Sequence, residues 1–352
     1  MAAFGRMTSA RLAPAGRHLV RCGCRAWQGP MVQVPSRVWQ APMLPSAYRA
    51  FAAQAEVKPD VKVFYEEDTH TVCSVVRDPS SRKAAIIDSV LGFNYYSGST
   101  DSAHADSVID YIKANDLEVE WILETHAHAD HLSAAPYIQE KLGGKIAIGE
   151  HIRDVQHVFA GIFNLGQKFK QDGSQFDRLF ADGETFQIGS LQASVMHTPG
   201  HTPACICYHI GDALFTGDTI FMPDYGTARC DFPGGSSRTL YSSIQRIMSL
   251  PDDTRVFVGH DYLPKDGRRH FAWETTIGEQ KKSNVHVGQG KSEDDFVQMR
   301  ESRDAMLAVP KLLIPSVQVN ICAGKLPDVD GEGNSYLSVP LNKISNTGTL
   351  NP

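Results

Sequence analysis

The chain has 352 residues, with 34 basic and 40 acidic side chains for a net charge of −6, and 42% of it is hydrophobic. An acidic body argues against non-specific binding to nucleic acid, which depends on neutralising phosphates. No window approaches the roughly 18 consecutive apolar residues that a membrane span needs.

The charge is unevenly placed. Residues 1–55 carry seven arginines (Arg6, Arg11, Arg17, Arg21, Arg25, Arg37 and Arg49) and no Asp, Glu or Lys; Glu56 is the first acidic residue. This Arg-rich, acid-free composition without a continuous apolar core is that of a mitochondrial transit peptide. The expectation is a disordered leader, cleaved near residues 49–54, that directs the protein to the mitochondrial matrix. Taking those seven arginines from the 34 basic residues leaves 27 against 40 acidic, a net charge of −13. Residues 56–325 are read as one catalytic domain, long enough to bury a large core, and residues 326–352 as a partly ordered tail rich in Gly, Asn, Ser and Thr. Five cysteines follow the leader (Cys73, Cys205, Cys207, Cys230 and Cys322). An odd, unpatterned set fits free thiols in a reducing compartment. Cys205 and Cys207 lie two apart on an alternating strand and are read as buried thiols; Cys230 stands as either an oxidisable thiol near substrate or a small packing residue.

In chain order, residues 61–65, 71–76 and 84–88 read as strands. Residues 102–115 form an amphipathic helix with Val108, Ile109, Tyr111 and Ile112 as apolar positions. A strand at 118–124 follows, then a helix at 132–142 closed by Gly143-Gly144, a strand at 145–148 and a short helix at 151–159. Four strands are expected between 179 and 221, a helix at 239–250 stopped by Pro251, and a last core strand at 255–258. Residues 272–303 are polar with helical stretches, and 312–321 are apolar and lean toward strand. Beta runs and helices that alternate without strict βαβ regularity suit an α/β (α+β) sandwich: two mixed sheets with helices outside, αββα.

The strand at 118–124 runs into Thr125-His126-Ala127-His128-Ala129-Asp130-His131, which places four metal-binding side chains within six residues. Neutral imidazole suits zinc, iron, copper and nickel. Further candidates sit at the ends of later strand-like runs: His197 in His197-Thr198-Pro199-Gly200-His201, Asp218 after Thr216-Gly217, and His260 after Gly259. Loops at strand ends, held by a buried scaffold, are where chemistry is usually placed.

These motifs resemble those of the metallo-β-lactamase fold, over roughly residues 60–325. Gly217-Asp218-Thr219 and the loop Gly226-Thr227-Ala228-Arg229-Cys230-Asp231-Phe232 resemble more narrowly the persulfide dioxygenases, of the ethylmalonic-encephalopathy type and their bacterial relatives. The resemblance implies the αββα sandwich with metal at one edge. It implies one Fe(II) held by His126, His197 and Asp218, with His128, Asp130, His131 and His260 orienting ligands or relaying protons. The reaction would be oxidation of glutathione persulfide by O2. Arg229 and Tyr225 are the expected substrate contacts, and Lys281 or Lys282 the expected cationic anchor for glutathione, with Arg268-Arg269 as another. The seven candidate ligands also suit a dinuclear Zn/Fe hydrolase of the glyoxalase II type, splitting S-acyl glutathione, and ligand count does not choose between the two. A fold that keeps metal or thiol binding without catalysis is the reading from another class. A homodimer is compatible with any of them.

Overall fold

A computed structural model describes residues 57–264 and 266–344; the expected leader lies outside the described residues. In chain order the elements are β1 (Asp60–Glu66), β2 (Thr71–Arg77), β3 (Lys83–Ile87), β4 (Val90–Phe93), β5 (Thr100–Asp101), α1 (Ala103–Ala114), β6 (Glu118–Leu123), β7 (Leu132–Ser133), α2 (Ala135–Leu142), β8 (Lys145–Gly149) and α3 (Ile152–Phe163). Then come β9 (Arg178–Phe180), β10 (Thr185–Ile188), β11 (Leu191–His197), β12 (Ile206–Ile210), β13 (Ala213–Phe215), α4 (Ser237–Met248), β14 (Arg255–Phe257), β15 (Glu274–Thr276), α5 (Ile277–Ser283), α6 (Glu293–Asp304) and α7 (Leu313–Asn320).

Two six-stranded sheets dominate, in the orders β1-β2-β3-β6-β8-β9 and β10-β11-β12-β13-β14-β15. Both are mixed. β1 through β3 pair antiparallel and β3-β6-β8-β9 parallel; in the second sheet only β13-β14 is parallel. Strands buried on both faces read as continuous apolar runs, and β3 shows the division of labour. Ala85 and Ile87 face the second sheet and meet Val195, Tyr208 and Phe215 in an inter-sheet core. Ile86 points the other way, into a core with Ile109, Ile138, Ile152 and Val317 from the helices. On the far side, Met196, Leu214 and Val256 pack against Leu240, Ile244 and Phe296. The molecule is therefore the αββα sandwich, with α1, α2, α3 and α7 on one outer face and α4, α5 and α6 on the other.

Two segments differ from the sequence reading. Residues 312–321 are helix α7, not strand. Leu313, Val317 and Val319 are buried together with Ser316, Gln318 and Asn320, so burial on all sides erases the helical period. Pro315 sits in the first turn, where a missing N–H costs nothing. The run 132–142 begins as the short strand β7, paired with β4, and becomes helical only at Ala135, with Pro136 in its first turn. Past α7, the described part of the tail docks through Gln318, whose side chain donates to the Ser338 carbonyl and accepts from the Ser338 N–H. No helix among the described residues is long and apolar enough to cross a membrane.

Burial leaves a pH signature at His209 on β12, which is only 6% exposed. Burial pushes its pKa down from 6.5 to about 4. Between those values the unfolded chain binds a proton that the native chain refuses. Stability is therefore intact above pH 6.5 and lost as pH falls toward 4, by an amount of order 3 kcal/mol. Urea denaturation at stepped pH is expected to show a shallower acid limb in His209→Gln than in the parent; equal slopes would assign the acid loss to other groups.

Candidate metal centre

Loop 124–131 leaves the C-terminal end of β6, an inner strand of the first sheet, and carries its three histidines into the interior. His126, His128 and His131 are each at most 2% exposed and Asp218 is 8% exposed. The Nε2 atoms of His126 and His131, Nδ1 of His128 and Oδ1 of Asp218 are buried without a hydrogen-bond partner among the described residues. Their residues fall into two groups of mutually close donors, His126 and Asp218 with His201, and His128 and His131 with Asp130; orphaned polar atoms grouped in a native interior call for an ion.

Two of these side chains, His126 and Asp218, form one set with His201. His126, His201 and Asp218 each offer an atom, and all three atoms lie within 4.8 Å of one another. The tautomers are prepared for ligation. The Thr125 hydroxyl donates to Asp88 Oδ2 at 2.8 Å, so its oxygen is left to accept from His126 Nδ1 at 3.1 Å, and Nε2 of that ring keeps a lone pair. His201 Nδ1 donates to the Arg229 carbonyl at 2.8 Å, which leaves Nε2, 3.6 Å from Asp218 Oδ2, as its free nitrogen. Such outer partners are how proteins fix a ligating imidazole. Burial, then the neighbouring His128 and His201 rings, holds His126 well below its ordinary pKa, and burial also lowers His201. Both rings are neutral, as ligation requires.

His197 is not part of this set, contrary to the expectation that it would be the third ligand. It ends β11, its Nε2 is 2.9 Å from the Pro203 carbonyl, and its ring stacks on His151 at 4.2 Å. The chain must first turn through Thr198-Pro199-Gly200. Gly200 has φ +143, and a Cβ there would lie 2.4 Å from Leu240 Cα, so only glycine allows the turn that carries His201 into the centre. The signal was present in the sequence, since a second histidine follows the Gly of that turn.

The remaining candidates gather beside the triad. His131 Nδ1 is 3.3 Å from Asp130 Oδ2. His260 Nε2 lies 3.4 Å from Asp130 Oδ2 and 3.3 Å from Asp218 Oδ1. His128 turns its Nε2 toward two buried carboxylates, Asp88 at 3.0 Å and Glu124 at 3.2 Å. Burial opposes the charged form of this ring, but the two carboxylates outweigh it and raise its pKa well above 6.5. Asp88 and Glu124 were not singled out from sequence: Asp88 is 40 residues from His128 and carries no local pattern, and Glu124, four residues before it, reads as the end of the strand.

A cavity of about 940 Å³ opens over the centre, with Asp130, His131, His201 and Asp218 at its floor and Tyr225, Arg229, Phe232 and Tyr262 in its walls. Tyr225 and Arg229 line it as expected, but Arg229 is already occupied: Nε and Nη2 donate to Asp231 at 2.6 Å each, and Nη1 donates to the Ala308 carbonyl. Lys281 and Lys282 do not reach it. They sit in the last turn of α5, where Lys281 binds Asp252 and the Leu250 carbonyl. Arg268 is held by Asp261 and Asp224. The cations that line the cavity with no carboxylate partner among the described residues are Arg303 and Lys311. Tyr262, stacked on His260 at 5.3 Å, was also missed; burial and then Asp130 and Asp218 raise its hydroxyl well above 10, so it stays a donor. Cys205 and Cys207 are buried thiols as read, with burial raising them to about 12 and about 11. Burial likewise pushes Cys230 up, and its side chain packs with Met222, Leu240 and Phe296 in one apolar cluster.

A two-sheet sandwich that gathers His and Asp donors at the ends of its strands defines a metal-binding enzyme scaffold. The family model of the metallo-beta-lactamase superfamily matches residues 67–260, and the chain belongs to that superfamily. It is 49% identical over 294 residues to a "probable metallo-hydrolase" of Burkholderia pseudomallei, covering 81% of this chain and 99% of that one. It is 50% identical over 289 residues to a protein of Dictyostelium discoideum named Glyoxylase B2, covering 82% and 98%. Among solved structures it is similar to ETHE1 from Myxococcus xanthus, with a TM-score of 0.60 and 28% identity over 76% of this chain and 100% of that one.

Proposed function

We propose that the protein is a persulfide dioxygenase of the mitochondrial matrix, oxidising glutathione persulfide with O2 to sulfite and glutathione at a single Fe(II). The observation that carries this reading is the buried set His126, His201 and Asp218, in which His126 Nε2 and Asp218 Oδ1 have no hydrogen-bond partner among the described residues. Two histidines and one carboxylate on one face, with the other positions open, is the ligand set of non-haem Fe(II) oxygenases. Similarity to ETHE1 from Myxococcus xanthus supports the same reading. When bound, iron would supply the redox chemistry that lets O2 and the sulfane sulfur react. In the overall change the persulfide, O2 and one water give the thiol, sulfite and two protons; the outer sulfur loses four electrons and O2 gains them.

The chain's own residues have distinct tasks. Asp88 through Thr125, and the Arg229 carbonyl, hold the two ligating rings in the right tautomer. Asp130, His131, His260 and the Tyr262 hydroxyl surround the floor of the cavity and can hold or pass the protons released there. Phe221, Phe232 and Tyr225 give it walls that limit water. Arg303 and Lys311 carry the positive charge for the substrate's carboxylates, the role expected of Lys281 and Lys282. Arg303→Ala and Lys311→Ala are each expected to raise KM for glutathione persulfide roughly tenfold through loss of a charge-assisted contact, with little change for a persulfide that has no carboxylate.

A second reading has its own observation: Asp130, His131 and His260 converge beside Asp218, which suits a dinuclear thioesterase. The name of the Dictyostelium relative and that of the Haemophilus influenzae hydroxyacylglutathione hydrolase, 32% identical over 219 residues, point the same way. Metal counting with activity separates them. One iron per chain and one O2 consumed per sulfite formed is the expected result; two ions with hydrolysis of S-lactoylglutathione, and no O2 uptake, would replace it. The matrix assignment is tested by following a reporter fused to residues 1–60.

A further inference from the structure

The segment after α6 lies beyond the residues matched by the family model, yet it reaches the metal loop. Asn320, the last residue of α7, is 4% exposed. Its amide donates one hydrogen to the His128 carbonyl and the other to the His131 carbonyl, each at 2.8 Å. Its Oδ1 accepts the Ser133 N–H at 2.9 Å. Both donors and the acceptor are thus used, and only one orientation of the amide satisfies all three partners, because a flipped amide would set oxygen against two carbonyls. Residues 124–131 form neither strand nor helix, so these carbonyls have no ladder to satisfy them.

The contact continues inward. The Ser133 hydroxyl donates to Glu124 Oε1 at 2.5 Å, and Glu124 is one of the two carboxylates facing His128. The end of α7 is pressed onto the same place: Gly324 has φ +80, and a Cβ there would stand 3.0 Å from the Ser133 carbonyl oxygen and 2.6 Å from Pro136 Cδ.

We infer that Asn320 is a positioning residue for the metal centre, clamping the backbone of the ligand loop at His128 and His131 from a helix outside the matched domain. This rests on the metal reading of His126, His201 and Asp218, and it assigns part of the metal affinity to a side chain that is not a ligand. Gln318 on the same helix is an internal control. It is also buried, but its bonds run to the Ile314 carbonyl and to Ser338, away from the loop.

The test uses the full chain with Co(II) and Zn(II) as probes, reading affinity by chelator competition and site geometry from the Co(II) absorption bands. Asn320→Leu and Asn320→Asp are expected to weaken metal binding roughly 10–100-fold, the range seen when an outer partner of a ligand is removed, and to alter the Co(II) spectrum. Gln318→Ala is expected to lower the urea midpoint while leaving affinity and spectrum at the parent values. Asn320 variants that bind within about threefold of the parent, with an unchanged spectrum, would reduce the clamp to ordinary packing and overturn the inference. Should both fail to fold, Gly324→Ala, which forces the same helix end off the loop, is read by the same criteria. A parent protein that binds neither ion would remove the metal reading itself, a result distinct from loss confined to the variants.

Discussion

His201→Ala is expected to abolish stoichiometric metal binding, whereas His197→Ala leaves it within a few-fold of the parent. His201 contributes one of three mutually close donor atoms, so its loss should exceed the roughly 10–100-fold penalty for removing even an outer partner. His197 is tied to the Pro203 carbonyl and stacked on His151, and its removal costs a surface contact. Metal content by elemental analysis after gel filtration, with chelator competition, reads both. Equal loss in the two variants, or loss only in His197→Ala, would move the third ligand back to the end of β11 and dismantle the site described above.

Asp304→Ala is expected to destabilise the fold by about 3–5 kcal/mol, the usual result of stripping a buried charge of its partner. Asp304 Oδ1 accepts from Arg300 Nε at 2.9 Å and Nη2 at 2.6 Å, and Oδ2 accepts from the Cys230 N–H at 2.8 Å. The two side chains are 3% and 6% exposed. Arg300 also donates to the Thr227 carbonyl, so this pair ties α6 to the loop that bears Arg229. A total stability of order 5–15 kcal/mol leaves little after such a loss. Urea denaturation of metal-free protein measures it without linkage to bound ion. The paired replacement Arg300→Met with Asp304→Leu should recover most of the loss, because a buried ion pair is hard to break but readily exchanged for apolar volume. A drop below about 1 kcal/mol in Asp304→Ala would mean that water reaches the guanidinium.

The fold was readable where burial is one-sided or strand length is short. The runs at 71–76 and 84–87 are strands because both faces are covered, and the 103–114 helix shows its period because one face meets solvent. The period vanishes in α7, where both polar and apolar residues are enclosed, and strand was the natural misreading. The metal loop was legible because four candidate donors fall within six residues. Choosing between His197 and His201 needed the turn at Gly200, whose geometry is set by its approach to Leu240. The cationic anchors at Lys281 or Lys282 were what the family resemblance implied. The structure shows that α5 faces Asp252, while the end of α6 and the residues after it reach the cavity. Partners such as Asp88 for His128 and Asn320 for the 128 and 131 carbonyls arise only from chain crossings, which no local pattern encodes.

The clamp at position 320 has a consequence for biosynthesis. The donors for the ion, His126, His201 and Asp218, are scattered along the chain, and the loop that bears the first of them is braced by Asn320 on α7. A chain made from its N-terminus onward therefore releases every donor before the brace on that loop has emerged. On the clamp reading, full affinity for the cation follows the docking of α7 and not the release of the donors alone.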